Sequence, residues 1–119
     1  MPVRLRPADP ETVAAALARR TGGASTRDDE RLLVKHFLAV LSKRAPGGAV
    51  EVRVPPYAAA QVVGGTTHKR GTPPAVVELD AETWLELALG GLRWHHAVAA
   101  GRVAASGERS DLSEHLPLT

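Results

Sequence analysis

The chain has 119 residues, 44% of them hydrophobic, and a formal net charge of +2, which is enough to build one hydrophobic core and not two. It contains no cysteine, so a disulfide framework, a thiolate zinc site and a thiol nucleophile are all excluded. Cations alternate with acids along Asp28 to Arg31, Glu51 to Arg53 and Glu108 to Asp111, and aromatic residues are scarce, so nucleic acid is not an expected partner.

The opening Met1 to Pro10 lacks the apolar core of a signal peptide, and no apolar run is long enough to span a bilayer, which reads as cytoplasmic. Val3 to Arg6 is a candidate edge strand. Asp9 then caps a first helix from Pro10 to about Arg20, with Pro10 in the first turn, where its missing N–H does no harm. Its weak apolar face is Val13, Ala16, Leu17 and Arg20, and Gly22-Gly23 stop it. Thr26 and Asp29 approximate a capping box for a stronger second helix, whose stripe of Leu33, Val34, Phe37, Leu38, Val40 and Leu41 ends near Arg44 before Ala45-Pro46-Gly47-Gly48.

Val50 to Val54 alternates apolar and charged residues, the pattern of a strand with one buried and one wet face. Pro55-Pro56 predicts a tight corner near a sheet edge, Tyr57 to Val63 a second strand and Ala75 to Leu79 a third. Between them Gly64 to Pro74, with His68-Lys69-Arg70 at its tip, is too polar and Gly-rich to pack and is expected to be mobile, with at most transient contact with a membrane surface. Asp80 caps a helix from Ala81, whose spacing places Ala81, Trp84, Leu85, Ala88 and Leu92 on one face, and Gly90-Gly91 supply the residues expected to stop it. A short helix is expected from about Arg93 to Ala100, a strand from Arg102 to Ser106, and a last turn capped by Ser110 before Pro117.

The succession of helices, three strands, helices and a strand predicts an α+β fold, one domain over residues 1–119 with a sheet covered on one face by helices. The run from Asp80 to Leu118 resembles the C-terminal half of sterol carrier protein type 2-like domains, and most closely their small bacterial members. The matching positions are Asp80, Trp84-Leu85, Gly90-x-Leu92, Ala97-Val98, Gly101-x-Val103 and Gly107. The resemblance implies a mixed or largely antiparallel sheet of four to five strands packed against helices, with an apolar cavity between the layers for an acyl-chain lipid or sterol-like ligand. Trp84, Leu85, Ala88, Leu92, Trp94, Val98 and Val103 are the residues it suggests for the cavity lining. In most soluble proteins such a stripe is the core face of a helix, and apolar pockets use the same residue types as cores. Trp94, between Arg93 and His95, reads as a residue at a cavity mouth or at the surface with its N–H hydrated.

Nothing else in the chain declares a chemistry. His95 and His96 are neighbours whose side chains diverge by roughly a hundred degrees on a helix, so no metal site is expected. Ser106, Ser110 and Asp111 lie near His115 in sequence, but a triad is a spatial arrangement, and no nucleophile elbow, phosphate loop or dinucleotide fingerprint is present. Arg102 and Arg109 are expected to pair with Glu108 or Asp111. The expected function is non-catalytic binding or carriage of an apolar or amphipathic small molecule, without a cofactor. The alternative is an interaction module that binds a partner or its own copy through an exposed sheet edge.

Overall fold

The computed structural model describes residues 5–64, 74–107 and 110–119. Two helices come first, α1 (Pro10–Thr21) and α2 (Arg27–Arg44), followed by strands β1 (Val50–Val54), β2 (Ala58–Val62) and β3 (Ala75–Leu79). Helices α3 (Ala81–Leu89) and α4 (Trp94–Ala99), strand β4 (Val103–Ser106) and a 3₁₀ turn (Ser113–His115) complete the order. The fold is α+β with a mixed four-stranded sheet in the order β2-β1-β3-β4. The two central strands run parallel, and each edge strand is antiparallel to its neighbour.

The helix boundaries follow from their caps. Asp9 Oδ2 accepts from the amides of Glu11 and Thr12. Thr26 and Asp29 form a complete capping box at 3.1 and 3.2 Å, and Asp29 also holds Arg19 on α1 through two 2.8 Å bonds. These bonds hold the Asp29 carboxyl down at about 2, the Arg19 pairing being the largest cause. Asp80 caps α3 through the Thr83 amide, and Gly90, at φ 88°, ends it in the left-handed conformation that costs glycine least.

Strand alternation assigns the two sheet faces. Val50, Val52 and Val54 pair in register with Val62, Ala60 and Ala58, and all point toward the helices. On the opposite face lie Glu51, Arg53, Gln61 and Glu78, so that face stays polar. The core between sheet and helices includes Leu33, Val34, Leu38 and Leu41 of α2, Trp84 and Leu85 of α3, and Leu112 and Leu118 of the C-terminal segment, all nearly inaccessible. The Trp84 indole donates to the Val34 carbonyl at 3.3 Å, joining α3 to α2. Leu118 N–H donates to the Ala88 carbonyl at 2.8 Å and fastens the C-terminal end beneath α3.

Several expectations shift by a residue or change partner. The second strand is shorter than Tyr57 to Val63, because the turn after Pro55-Pro56 includes Tyr57 and Val63 adopts a positive φ of 66°. Leu5 and Arg6 belong to no strand, while Val3 and Arg4 lie outside the described residues. The last turn is entered by Asp111, whose carboxylate accepts from the Ser113 amide, and not by Ser110. Arg102 pairs with Glu86 and Thr83 of α3, each at 3.1 Å, rather than with Glu108 or Asp111. Trp94 is buried, not a surface or mouth residue. Arg109 and the loop tip His68-Lys69-Arg70 lie outside the described residues.

Candidate functional site

The seven residues suggested for a cavity lining occupy different environments. Trp84, Leu85 and Ala88 are completely buried, and Trp94 and Val103 nearly so, within one continuous core. Leu92 packs against that core from its margin, and Val98 on α4 is 42% exposed. None of the seven lines either of two concavities on the described surface.

The larger concavity, about 1190 Å³, lies along the free edge of β2. One wall is the last two turns of α2, through Ala39, Ser42 and Lys43. The opposite wall is β2 itself, through Ala59, Ala60 and Gln61, and Glu51 of β1 adds to it. Leu5, Arg6 and Pro7 close a third side, and Pro46 and Gly47 form the end. Small side chains leave space here: Ala39 of α2 and the helix-facing Ala60 of β2 carry only a methyl group, while Ala59, on the other sheet face, borders the groove at the strand edge.

Two local features hold these walls in place. The N-terminal strap is tied to α2 by a 2.9 Å bond from the Ala8 N–H to His36 Nδ1. That bond requires Nδ1 to be the unprotonated nitrogen, and burial pushes the imidazole below its usual value, in agreement with a neutral ring. At the closed end, Gly47 approaches the backbone after β2 so tightly that a Cβ would stand 2.3 Å from the Val63 carbonyl oxygen. The Val63 N–H donates to the Ala45 carbonyl at 2.7 Å and the Ala49 N–H to the Val63 carbonyl at 2.9 Å, so both strands of this corner are fixed.

The smaller concavity, about 700 Å³, is polar and lies between the start of α2, Tyr57 and α3. Its charged groups are largely satisfied by one another. Arg20 bonds Glu82 at 2.8 Å, and the Tyr57 hydroxyl donates to Glu30 at 2.6 Å. The bond to Glu30 raises the Tyr57 value, and the bond from Arg20 lowers that of Glu82. Among the described residues no group of three or more His, Asp or Glu side chains is placed to hold a metal ion, and His95 and His96 are exposed on α4. No helix among the described residues is long and apolar enough to cross a membrane.

No sequence pattern marks the groove, because its walls come from four separated segments and several of its residues are alanines, which carry no directional signal. The strap contributes through a backbone amide, which composition cannot report. A family model described as bacterial SCP ortholog matches residues 26–118, from the N-cap of α2 to the penultimate residue. No curated protein matches the chain.

Proposed function

The chain belongs to the bacterial SCP ortholog family, a sterol carrier protein-like group, and from that premise we propose that it binds and carries an amphipathic small molecule with an acyl-chain body, without catalysing a reaction on it. The observation that carries this reading is the groove of about 1190 Å³ along β2, whose walls include Leu5, Pro7, Ala39, Pro46, Ala59 and Ala60. Concave, largely apolar surfaces of this size with a few polar groups at their margins suit drug-sized or lipid-sized ligands. Ligand held there would be partly shielded from water yet accessible from the side, as loading and release require.

The experiment is a titration with a fluorescent single-chain amphiphile, in wild type and in Ala60→Phe, which fills the groove from the β2 side. Saturable binding by wild type and its loss in a folded Ala60→Phe protein is the expected result. Equal binding by both would remove the groove from the reading.

A second placement of the ligand keeps Trp84, Leu85, Ala88, Leu92, Trp94, Val98 and Val103 as its contacts. What favours it is that all seven fall inside the family-matched region, whereas Leu5 to Pro7 fall outside it. It requires α3 to part from α2 and the sheet, breaking the Trp84 bond to Val34. A brominated acyl chain would then quench tryptophan emission strongly, because such quenching needs near contact; a ligand in the groove would quench it weakly.

The alternative function, self-association, is favoured by β2 being a sheet edge whose residues Ala58 to Gln61 carry no charge to discourage strand pairing. A copy added at that edge would cover the groove, so ligand and dimer would compete. Sedimentation with and without the amphiphile separates the two functions.

A further inference from the structure

The groove carries charged side chains among its apolar ones. Three ionised side chains line it: Arg6, Lys43 and Glu51. Glu51 is already neutralised, since its Oε1 accepts from Arg53 Nε at 2.6 Å. Arg6 and Lys43 have no carboxylate within ion-pair distance among the described residues, whereas Arg19, Arg20, Arg53 and Arg102 each hold one.

The two cations line one groove. Ala8 is tied to His36, and chain running back from it covers at most about 3.3 to 3.6 Å per residue. Two residues therefore span at most roughly 7 Å, which keeps Arg6 close to the strap's anchor on α2, and Arg6 lines the same groove as Ser42 and Lys43. Like charges gathered beside an apolar wall without a counter-ion repel one another, and an anion placed between them relieves that repulsion. The negative end of the α2 dipole works against an anion here, so the two side chains must supply the attraction.

We propose that the groove accepts a single-chain amphiphile whose phosphate monoester headgroup is held between Arg6 and Lys43. This rests on the ligand-carrying reading above. The headgroup follows from charge matching: a phosphate monoester carries about −1.5 to −2 near neutral pH, which balances two cations, whereas a carboxylate balances one. Arginine offers a planar fork to two phosphate oxygens and lysine a mobile point charge, a pairing suited to a tetrahedral anion. The Ser42 hydroxyl, on the same wall, supplies a further donor.

The test compares three probes with the same oleoyl chain, each below its micelle concentration at low ionic strength: lysophosphatidate, oleate and the uncharged monooleoylglycerol. Wild type should bind them in that order, with roughly tenfold between the first and last, as two exposed charge pairs permit. The preference should shrink as salt is raised. In the double variant Arg6→Gln/Lys43→Gln all three affinities should converge on that of the uncharged probe, while Arg44→Gln, an exposed neighbour that does not line the groove, leaves the order intact. Equal binding of the three probes by wild type, tighter binding of oleate than lysophosphatidate, or an order that survives in the double variant would overturn the headgroup assignment and leave the carrier reading standing. Failure of all three to bind would overturn both.

Discussion

Phe37→Ala tests the packing that supports the groove. Phe37 is 2% exposed, on the core side of α2, one residue after the histidine that anchors the strap and two before the alanine that forms the groove wall. Its ring meets that of His36 edge to face, with centroids 4.9 Å apart. Truncating a buried phenylalanine costs roughly 3 to 5 kcal/mol, the lost transfer energy plus the cavity left behind, and the edge-to-face contact falls within that figure. For 119 residues the unfolding entropy at the midpoint is about 0.25 kcal/mol per kelvin, so Tm should fall by roughly 12 to 20 °C. Urea unfolding followed by circular dichroism would give the same quantity as a shift in midpoint at unchanged slope. Leu92→Ala, at the core margin, should cost less, roughly 1 to 2 kcal/mol. A loss below about 1.5 kcal/mol for Phe37→Ala would refute the packing described here, and equal large losses at both positions would place Leu92 in a solid core.

Three further outcomes are expected. The folded-state value of His36 lies below its unfolded value, so the unfolded chain binds the proton more readily; the stability this confers is complete above about pH 6.5 and is lost as pH falls from there through the folded value. Tm should therefore show a step on acidification that His36→Phe lacks, with faster intrinsic-corrected exchange of the Ala8 amide; a step unchanged in the variant would exclude His36 as its source. Asp29, held at about 2 against an ordinary 3.8, contributes stability that is present above the ordinary value and lost on descent toward the lower one, so Asp29→Asn should flatten that acid limb; a limb of unchanged slope contradicts the pairing with Arg19. Gly47→Ala, with its Cβ forced against the Val63 carbonyl, should destabilise by roughly 2 to 3 kcal/mol, and a neutral result by thermal unfolding would show that the closed end of the groove is not as tight as drawn.

Where the sequence was informative, the information was local. Asp9, Thr26 with Asp29, and Asp80 announce their helices because a capping side chain acts within three residues, and the Val50 to Val54 alternation announces its strand because the pleat has a period of two. What the sequence hid was the choice among partners far apart in the chain. Arg102 had nearby acids in sequence yet reaches back 16 residues to Glu86, and Trp94, flanked by charges, is buried because α4 turns its face inward. Trp84, Leu85 and Ala88 share the expected face of α3, whereas Leu92, expected on it, lies beyond the helix end at Leu89 because Gly90 stops the helix; periodicity cannot say whether such a face meets a ligand or other side chains. The groove depends on α2, β2 and the strap contributing Ala39, Ala60 and Leu5 to Pro7 to one concavity, and no spacing rule marks residues so far apart in the chain.

Where the ligand lies can be read by irradiating the protein with a diazirine-bearing single-chain amphiphile and mapping the labelled residues by mass spectrometry. Labels in Leu5 to Pro7, Ala39 to Lys43 and Ala59 to Gln61 are the result predicted for the groove. Labels confined to the segment from Trp84 to Val103, with the groove residues unmodified, would contradict it.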